Sequence, residues 1–356
     1  MTIFDQMTSQ EHEQVVFCHD KATGLKAIIA IHDTTLGPAL GGLRMWPYEK
    51  DEDALFDVLR LSKGMTYKNA AAGLNLGGGK AVIIGDPQLK SEALFRSFGR
   101  FVQSLGGRYI TAEDVNTNTD DMMFVHEETD FVSGLPESVG GSGDPSPFTA
   151  LGTFEGIKSA VSYRLKKESL SGVTVAVQGL GSVGTYLCEM LHNAGAKLIV
   201  SDMKQAKVDH VVKKFSASSV KLDDIYSVDA DVFAPCALGA IVNDKTIDQF
   251  KFKVIAGAAN NQLLDEKKHG KILKDKNILY APDYIINSGG VINVYYEVIG
   301  EYVRENVTKK VENIYKILTE IFKISDDENI PTYIASSRFS ERRIEQIGKV
   351  QRTYLG

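Results

Sequence analysis

One stretch restricts the architecture more than any other. Val173-Thr174-Val175-Ala176-Val177-Gln178 is a continuous apolar run, and it passes without a spacer into Gly179-Leu180-Gly181-Ser182-Val183-Gly184. A helical segment to Asn193 follows, then a second strand-like run, Lys197-Leu198-Ile199-Val200-Ser201, ending in Asp202, eighteen residues past the third glycine. Strand, tight turn, helix and strand in about thirty residues form a right-handed βαβ unit, whose parallel strands need helices on both faces. The glycine spacing says what the turn is for. The first glycine makes the turn, the second admits a pyrophosphate to the backbone, the third lets the helix close on the strand, and the free N–H groups of the helix N-terminus favour the anion. Asp202 is placed to accept hydrogen bonds from the adenosine ribose hydroxyls and to repel a 2′-phosphate, which favours NAD over NADP; Lys204 acts in the opposite sense.

The pattern continues downstream. Asp231-Val232-Phe233-Ala234 leads into Pro235-Cys236-Ala237, Val254-Ile255-Ala256 into Gly257-Ala258-Ala259-Asn260-Asn261, and Ile278-Leu279-Tyr280 into Ala281-Pro282-Asp283. In a doubly wound sheet such strand ends line the ligand crevice, so Asn260 and Asn261 are candidates for contacts to the nicotinamide or to a substrate; a plain turn is the other reading. Residues 288–299 open with Ser288-Gly289-Gly290 and continue as a helix through Val291 and Val294, facing either a core or a pocket.

At 356 residues and 43% hydrophobic content the chain holds two ordinary domains. A net charge of -6 without a basic run argues against nucleic-acid and anionic-membrane partners. The N-terminus has neither a basic flank nor an apolar core, and no stretch approaches membrane-span length, so a cytoplasmic protein is expected. Cys18, Cys188 and Cys236 are odd in number and widely spaced, which predicts buried thiols and neither a disulfide framework nor a metal site.

Upstream, Gln14–Cys18 and Leu25–Ile31 read as a hairpin-like strand pair, and His32–Met45 as a breaker-rich loop in which Gly41-Gly42-Leu43-Arg44 either approaches an anion or simply connects. Apolar positions at three- and four-residue spacing predict a helix over 52–72, with Met65 and Lys68 on one side near its end. Gly77-Gly78-Gly79-Lys80 then precedes the strand Ala81–Ile84. A P-loop is excluded, because Leu74 and Ala81 stand where that motif needs Gly and Ser or Thr. Taken locally, Lys80 is equally an exposed lysine after a turn. A helix over 91–105 and a strand over 108–112 lead to Glu113-Asp114, which are helix caps or strand-end catalytic groups. Crowded Gly and Pro residues between Ser133 and Pro147 mark a domain boundary with hinge potential.

Together these residues carry a resemblance. Ala30–Gly42, Gly64-Met65-Thr66-Tyr67-Lys68, Gly77–Lys80, Thr111–Val115, the dinucleotide fingerprint, Ala258–Gln262 and Asn287–Val291 resemble the glutamate/leucine/phenylalanine/valine dehydrogenase family over nearly the whole chain. Small departures, Leu43 within Gly-Gly-x-Arg and Ser133 in place of a common Thr, leave the implied reaction untouched.

The resemblance implies an α/β enzyme with an N-terminal catalytic domain over 1–134 and a Rossmann-type NAD domain over 135–330. A C-terminal helical segment over 331–356 would return to the first domain, with a cleft between the domains. It implies NAD-dependent oxidative deamination of branched-chain L-amino acids, leucine foremost with valine and isoleucine accepted, and the reverse amination. A phenylalanine-specific enzyme and a non-catalytic NAD-binding protein are the alternatives. Lys80 and Asp114 match the family's catalytic pair, Lys80 assisting water as general base with its pKa lowered by a closed cleft and by Lys68. Lys68 would hold the substrate carboxylate. Leu40, Gly41, Gly42, Met65, Ala112, Ser133, Asn261, Val291 and Val294 match substrate-lining positions. Thr149, Cys236, Ala237 and Asn260 join Gly179–Gly184 and Asp202 around the cofactor. The family also implies a homo-oligomer, often an octamer. How Lys80 and Asp114 meet stays open: on adjacent parallel strands of five residues they would start roughly 16 Å apart, whereas antiparallel pairing, or a strand beginning earlier in the glycines, would bring them together.

Overall fold

A computed structural model of the chain describes residues 2–350. It divides into two compact units, Met1–Asp144 with Val294–Tyr302 and Ser340–Gly356, and Pro145–Asn293 with Val303–Phe339.

The first unit opens with α1 (Ile3–Gln10), β1 (Gln14–Asp20), β2 (Leu25–Asp33), β3 (Ala39–Trp46) and α2 (Asp51–Ala71). It continues with β4 (Gly77–Ile84), α3 (Glu92–Ser104), β5 (Tyr109–Glu113) and α4 (Thr119–His126). The strands form one mixed sheet in the order β1-β2-β4-β3-β5. The hairpin pair β1–β2 and the pair β2–β4 are antiparallel, while β3 runs parallel to both β4 and β5. Alternation sorts the strand residues. Ile29, Ile31, Leu43, Met45, Ala81 and Ile83 bury against Leu94, Phe95, Phe98 and Val102 of α3. On the opposite face, Ile28, Ala30 and Val82 meet Ala54, Leu55, Val58 and Leu59 of α2.

The segment predicted as a breaker-rich loop is in large part β3, an interior strand. Its glycines serve close approach and not turning. A Cβ on Gly41 would overlap Gly79 O, and one on Gly42 would lie 2.5 Å from Glu113 O and 2.8 Å from Asp114 Cβ. The same reason starts β4 at Gly77, inside the glycines: a Cβ on Gly78 would strike Thr66, so α2 lies directly on the strand backbone there.

The second unit contains α5 (Ser146–Leu165), β6 (Thr174–Gln178), α6 (Ser182–Asn193), β7 (Lys197–Ser201), α7 (Gln205–Phe215), β8 (Ser218–Ser219), β9 (Val232–Pro235) and β10 (Val254–Ile255). Then follow α8 (Glu266–Asp275), β11 (Leu279–Tyr280), α9 (Asp283–Ile286), α10 (Gly289–Val298), α11 (Arg304–Glu312), α12 (Ile314–Asp327) and α13 (Thr332–Val350). Its six strands are all parallel, in the order β11-β10-β9-β6-β7-β8, the doubly wound arrangement of a Rossmann domain.

The partition falls inside α10 and α13, giving Val294–Tyr302 and the stretch from Ser340 onward to the first unit. Within that unit Ser340 Oγ donates to Tyr67 O at 3.1 Å, and Arg343 donates to Leu74 O and Asn75 Oδ1 at 2.7 and 2.9 Å. Residues 135–144, which the resemblance gave to the second domain, fall in the first unit. The cause is one carboxylate: Glu297 accepts the N–H groups of Leu135 and Ser142 at 3.3 and 2.9 Å and the Ser142 hydroxyl at 2.6 Å.

Candidate active site

The sheet of the first unit resolves how Lys80 and Asp114 meet. They are not on adjacent strands, because β3 lies between β4 and β5. Leu43 pairs with both Ala81 and Glu113, so Lys80, Gly42 and Ala112 share one row, and Asp114 lies two residues further along. Two strand spacings, about 10 Å, are crossed by the extended lysine over Gly42, which has no side chain to obstruct it. Lys80 Nζ reaches Asp114 Oδ1 at 3.0 Å. Lys80 shares the sheet face of Ala30 and Val82, and its side chain is only 7% exposed.

The other carboxylate oxygen is held by a residue whose partner the sequence did not reveal. Arg44 Nε donates to Asp114 Oδ2 at 3.0 Å and Arg44 Nη1 to Asp57 Oδ2 of α2 at 2.8 Å. Asp57 also accepts from Tyr48 OH at 2.7 Å and from Arg60 at 3.1 Å. The Arg44 guanidinium thus lies between two of the protein's own carboxylates. Only the flag on Arg44 pointed toward this chain; nothing in the spacing of Tyr48 and Asp57 announces it. Asp114 N–H donates to Thr117 Oγ1 at 2.9 Å, and Thr117 Oγ1 donates to Leu43 O at 2.7 Å, which ties the residue back to β3.

Burial pushes the Lys80 ammonium to give up its proton more readily than usual; Asp114 opposes this, and Arg44 adds to it. Arg44 is thus a cation that acts on Lys80. For Asp114 burial works against ionisation, but the charges of Lys80 and Arg44 outweigh it and hold the carboxyl below its ordinary range.

The remaining candidates of this unit lie on β3, β5, α2, α10 and the segment after α4. Leu40, two residues before Gly42 on β3, is 2% exposed, and Ala112 is half-buried on β5. Gly41 O accepts from Tyr109 OH at 2.6 Å. Met65 and Lys68 are half-buried in the last turns of α2, flanking Thr66, which rests on Gly78. Ser133 is fully buried and its hydroxyl donates to Thr111 O at 3.1 Å, so toward a ligand it retains acceptor capacity only. Val294 is half-buried on α10.

The second unit builds the glycine turn. Gly179 has φ +98°, and a Cβ on it would sit 2.6 Å from Ala237 Cβ; one on Gly184 would overlap Gly179 O. Gly181 caps α6 with no side-chain hydrogen bond, so the first N–H groups of that helix face the turn without a capping side chain. With Leu180, Ser182 and Val183 completing the loop, this cradle fits a pyrophosphate. Both Asp202 oxygens already accept backbone N–H groups, from Leu180 at 2.6 Å and Lys204 at 2.8 Å, leaving further lone pairs for ribose hydroxyls. Cys236 and Ala237 follow β9, and Cys236 N–H donates to Gln178 O at 2.7 Å. Thr149 lies in the first turn of α5, bonded to Pro145 O at 3.1 Å. Asn287 Nδ2 donates to Asn260 Oδ1 at 2.6 Å, and Asn261 takes φ +51°. The Asn260-Asn261 loop is pinned by side chains: Gln262 N–H donates to Asp283 Oδ2 at 3.1 Å. Val291 is half-buried on α10.

A strand-face lysine–aspartate pair in one unit and a doubly wound dinucleotide fold in the other are the two parts that an α/β amino-acid dehydrogenase using a nicotinamide cofactor requires. Residues 12–131 match the model of the Glu/Leu/Phe/Val dehydrogenase dimerisation domain, and residues 140–210 and 198–346 that of Glutamate/Leucine/Phenylalanine/Valine dehydrogenase. The chain belongs to this family. It is 56% identical over 356 residues to the leucine dehydrogenase of Thermoactinomyces intermedius, covering 100% of this chain and 97% of the relative. It is 51% identical over 361 residues to the phenylalanine dehydrogenase of Bacillus thermotolerans, covering 100% and 94%. The crystal structure of L-tryptophan dehydrogenase from Nostoc punctiforme superposes with a TM-score of 0.88 at 49% identity, covering 97% of this chain and 99% of that one.

Proposed function

We propose that this protein is an NAD-dependent dehydrogenase of branched-chain L-amino acids, oxidising L-leucine best and valine and isoleucine less well, and running the reductive amination in reverse. The observation that carries this reading is the 3.0 Å Lys80–Asp114 pair on a face whose neighbouring strand positions are Leu40 and Ala112. Lys68 binds the substrate carboxylate as a point charge. When bound, the nicotinamide supplies the acceptor for the Cα hydride. Lys80, with its depressed pKa, is the general base that takes a proton from the water attacking the imine carbon, and Asp114 relays that proton to the nitrogen, which leaves as ammonia. In the first unit Leu40, Ala112 and Val294 line the side-chain pocket, with Gly41, Gly42, Met65 and Ser133 completing it. Apolar walls offer no partner to lysine, aspartate or glutamate, which are rejected through unpaired buried groups.

The preference for NAD over NADP rests on Asp202, whose charge repels a 2′-phosphate. The same reading includes a cytoplasmic homo-oligomer; the match of residues 12–131 to a dimerisation domain supports self-association, and no helix among the described residues is long and apolar enough to cross a membrane. The test is kcat/KM for oxidative deamination of leucine, valine, isoleucine, phenylalanine and glutamate at one pH. Leucine is expected to lead by a modest factor, since one methylene is worth about 1–3 kcal/mol. A lead for phenylalanine would replace the substrate assignment, and a lead for glutamate would refute the pocket.

A further inference from the structure

Two features of the first unit call for a cause: why Asp114 presents one oxygen to Lys80, and why an arginine stands on an interior strand. Arg44 is two residues beyond Gly42 on β3 and its side chain is 20% exposed, so its guanidinium is held between two carboxylates and not in bulk solvent. Its Nε and Nη1 point to different partners, Asp114 Oδ2 at 3.0 Å and Asp57 Oδ2 at 2.8 Å. Asp57 is in turn fixed by Tyr48 and Arg60. We propose that Arg44, clamped by Asp57, is the positioning residue for Asp114, locking the carboxylate so that Oδ2 is occupied and Oδ1 alone faces Lys80. This rests on the reading of Lys80 and Asp114 as the reacting pair.

A carboxylate bonded by a lysine alone rotates about its Cβ–Cγ bond and exchanges oxygens, because an ammonium is a point charge without a fixed fork. A planar guanidinium bonded to both Asp114 and Asp57 removes that freedom. Its charge also acts on the lysine. The charged and titratable groups around the pair include Lys80 from β4, Arg44 from β3, Tyr109 and Glu113 from β5, and Asp57 from α2. Of these Arg44 disfavours the protonated lysine, whereas Asp114 and Asp57 favour it.

The signs give a test that a merely structural role would not satisfy. Arg44→Met removes the clamp and the positive charge. Its kcat for leucine should fall at least tenfold with KM within about threefold, and the acid limb of kcat/KM should move to higher pH. Arg44→Lys keeps the charge without the fork, so the limb should stay near its original position while kcat recovers only in part. Asp57→Asn frees the clamp and removes a negative charge, so kcat should fall while the limb moves to lower pH. Should Arg44→Met fail to fold, as judged by thermal melting, the other two variants carry the same contrast. Lys80→Ala is run alongside. If it retains turnover, the pair itself is wrong; if it is inactive but Arg44→Met, Arg44→Lys and Asp57→Asn keep the original kcat and limb, the positioning role alone is overturned.

Discussion

Lowering the pH should destabilise the first unit through a buried histidine pair. His12 and His32 are 8% and 5% exposed, with rings edge to face at 4.8 Å. His12 Nε2 lies 2.8 Å from Ser62 Oγ and 3.1 Å from Leu59 O; His32 Nδ1 lies 2.8 Å from Thr66 Oγ1 and Nε2 3.0 Å from Gln10 O. Burial brings both down to about 4, with the His32 charge, opposed by the Leu59 carbonyl, adding to it for His12 and the Lys63 charge for His32. The unfolded chain accepts protons at about 6.5, whereas the folded one refuses them until about 4. Stability is therefore fully present above about pH 6.5 and is lost as pH falls toward 4. At pH 4.5 each histidine costs about 2.5 kcal/mol relative to neutral pH, roughly 5 for the pair, against a typical total of about 5–15. The assay is urea unfolding at a series of pH values followed by the fluorescence of Trp46, the single tryptophan, on β3 of this unit. His12→Gln/His32→Gln keeps amide donors and acceptors but cannot titrate, so the loss between pH 7 and 4.5 should shrink by about 5 kcal/mol relative to the original protein. Equal pH dependence in the two proteins would refute the reasoning. Since Ser62 and Thr66 belong to α2, which also carries Lys68, substrate affinity should fail together with this stability.

Four further outcomes are expected. Lys80→Ala should abolish turnover while NAD affinity, measured by calorimetry, stays unchanged, because the glycine cradle lies in the other unit. NAD should exceed NADP in kcat/KM by at least about tenfold, or about 1.4 kcal/mol, in steady-state kinetics. Gly42→Ala, which would place a methyl 2.8 Å from Asp114 Cβ, should lower kcat by about tenfold or more without altering NAD binding; an unchanged kcat would show that Lys80 does not need the open lane. The kcat/KM profile for oxidative deamination should rise with pH through the lowered Lys80 ionisation, below the ordinary lysine value of about 10.4; a limb at that value would argue against Lys80 as the base.

The sequence by itself determined the second unit. A parallel βαβ turn is a local object: apolar strand, glycine spacing, helix and terminal Asp202 follow one another within thirty residues, and the all-parallel sheet follows from repeating that unit. Helices such as α2 and α3 were legible because their apolar spacing matches the helical period. Tertiary structure decided the rest. β3 reads locally as a glycine-rich loop, and only the neighbouring backbones of β4 and β5, too close for a Cβ, make it a strand. The boundary at Asp144 depends on Glu297, more than 150 residues away. The Lys80–Asp114 and Arg44–Asp114 contacts follow from strand order, which no periodicity encodes: residues 34 and 70 apart in the chain become neighbours only when β3 is inserted between β4 and β5. Sequence patterns report each residue's own period and chemistry, whereas the pairing of distant strands is set by which arrangement buries every face at once, a property of the folded whole.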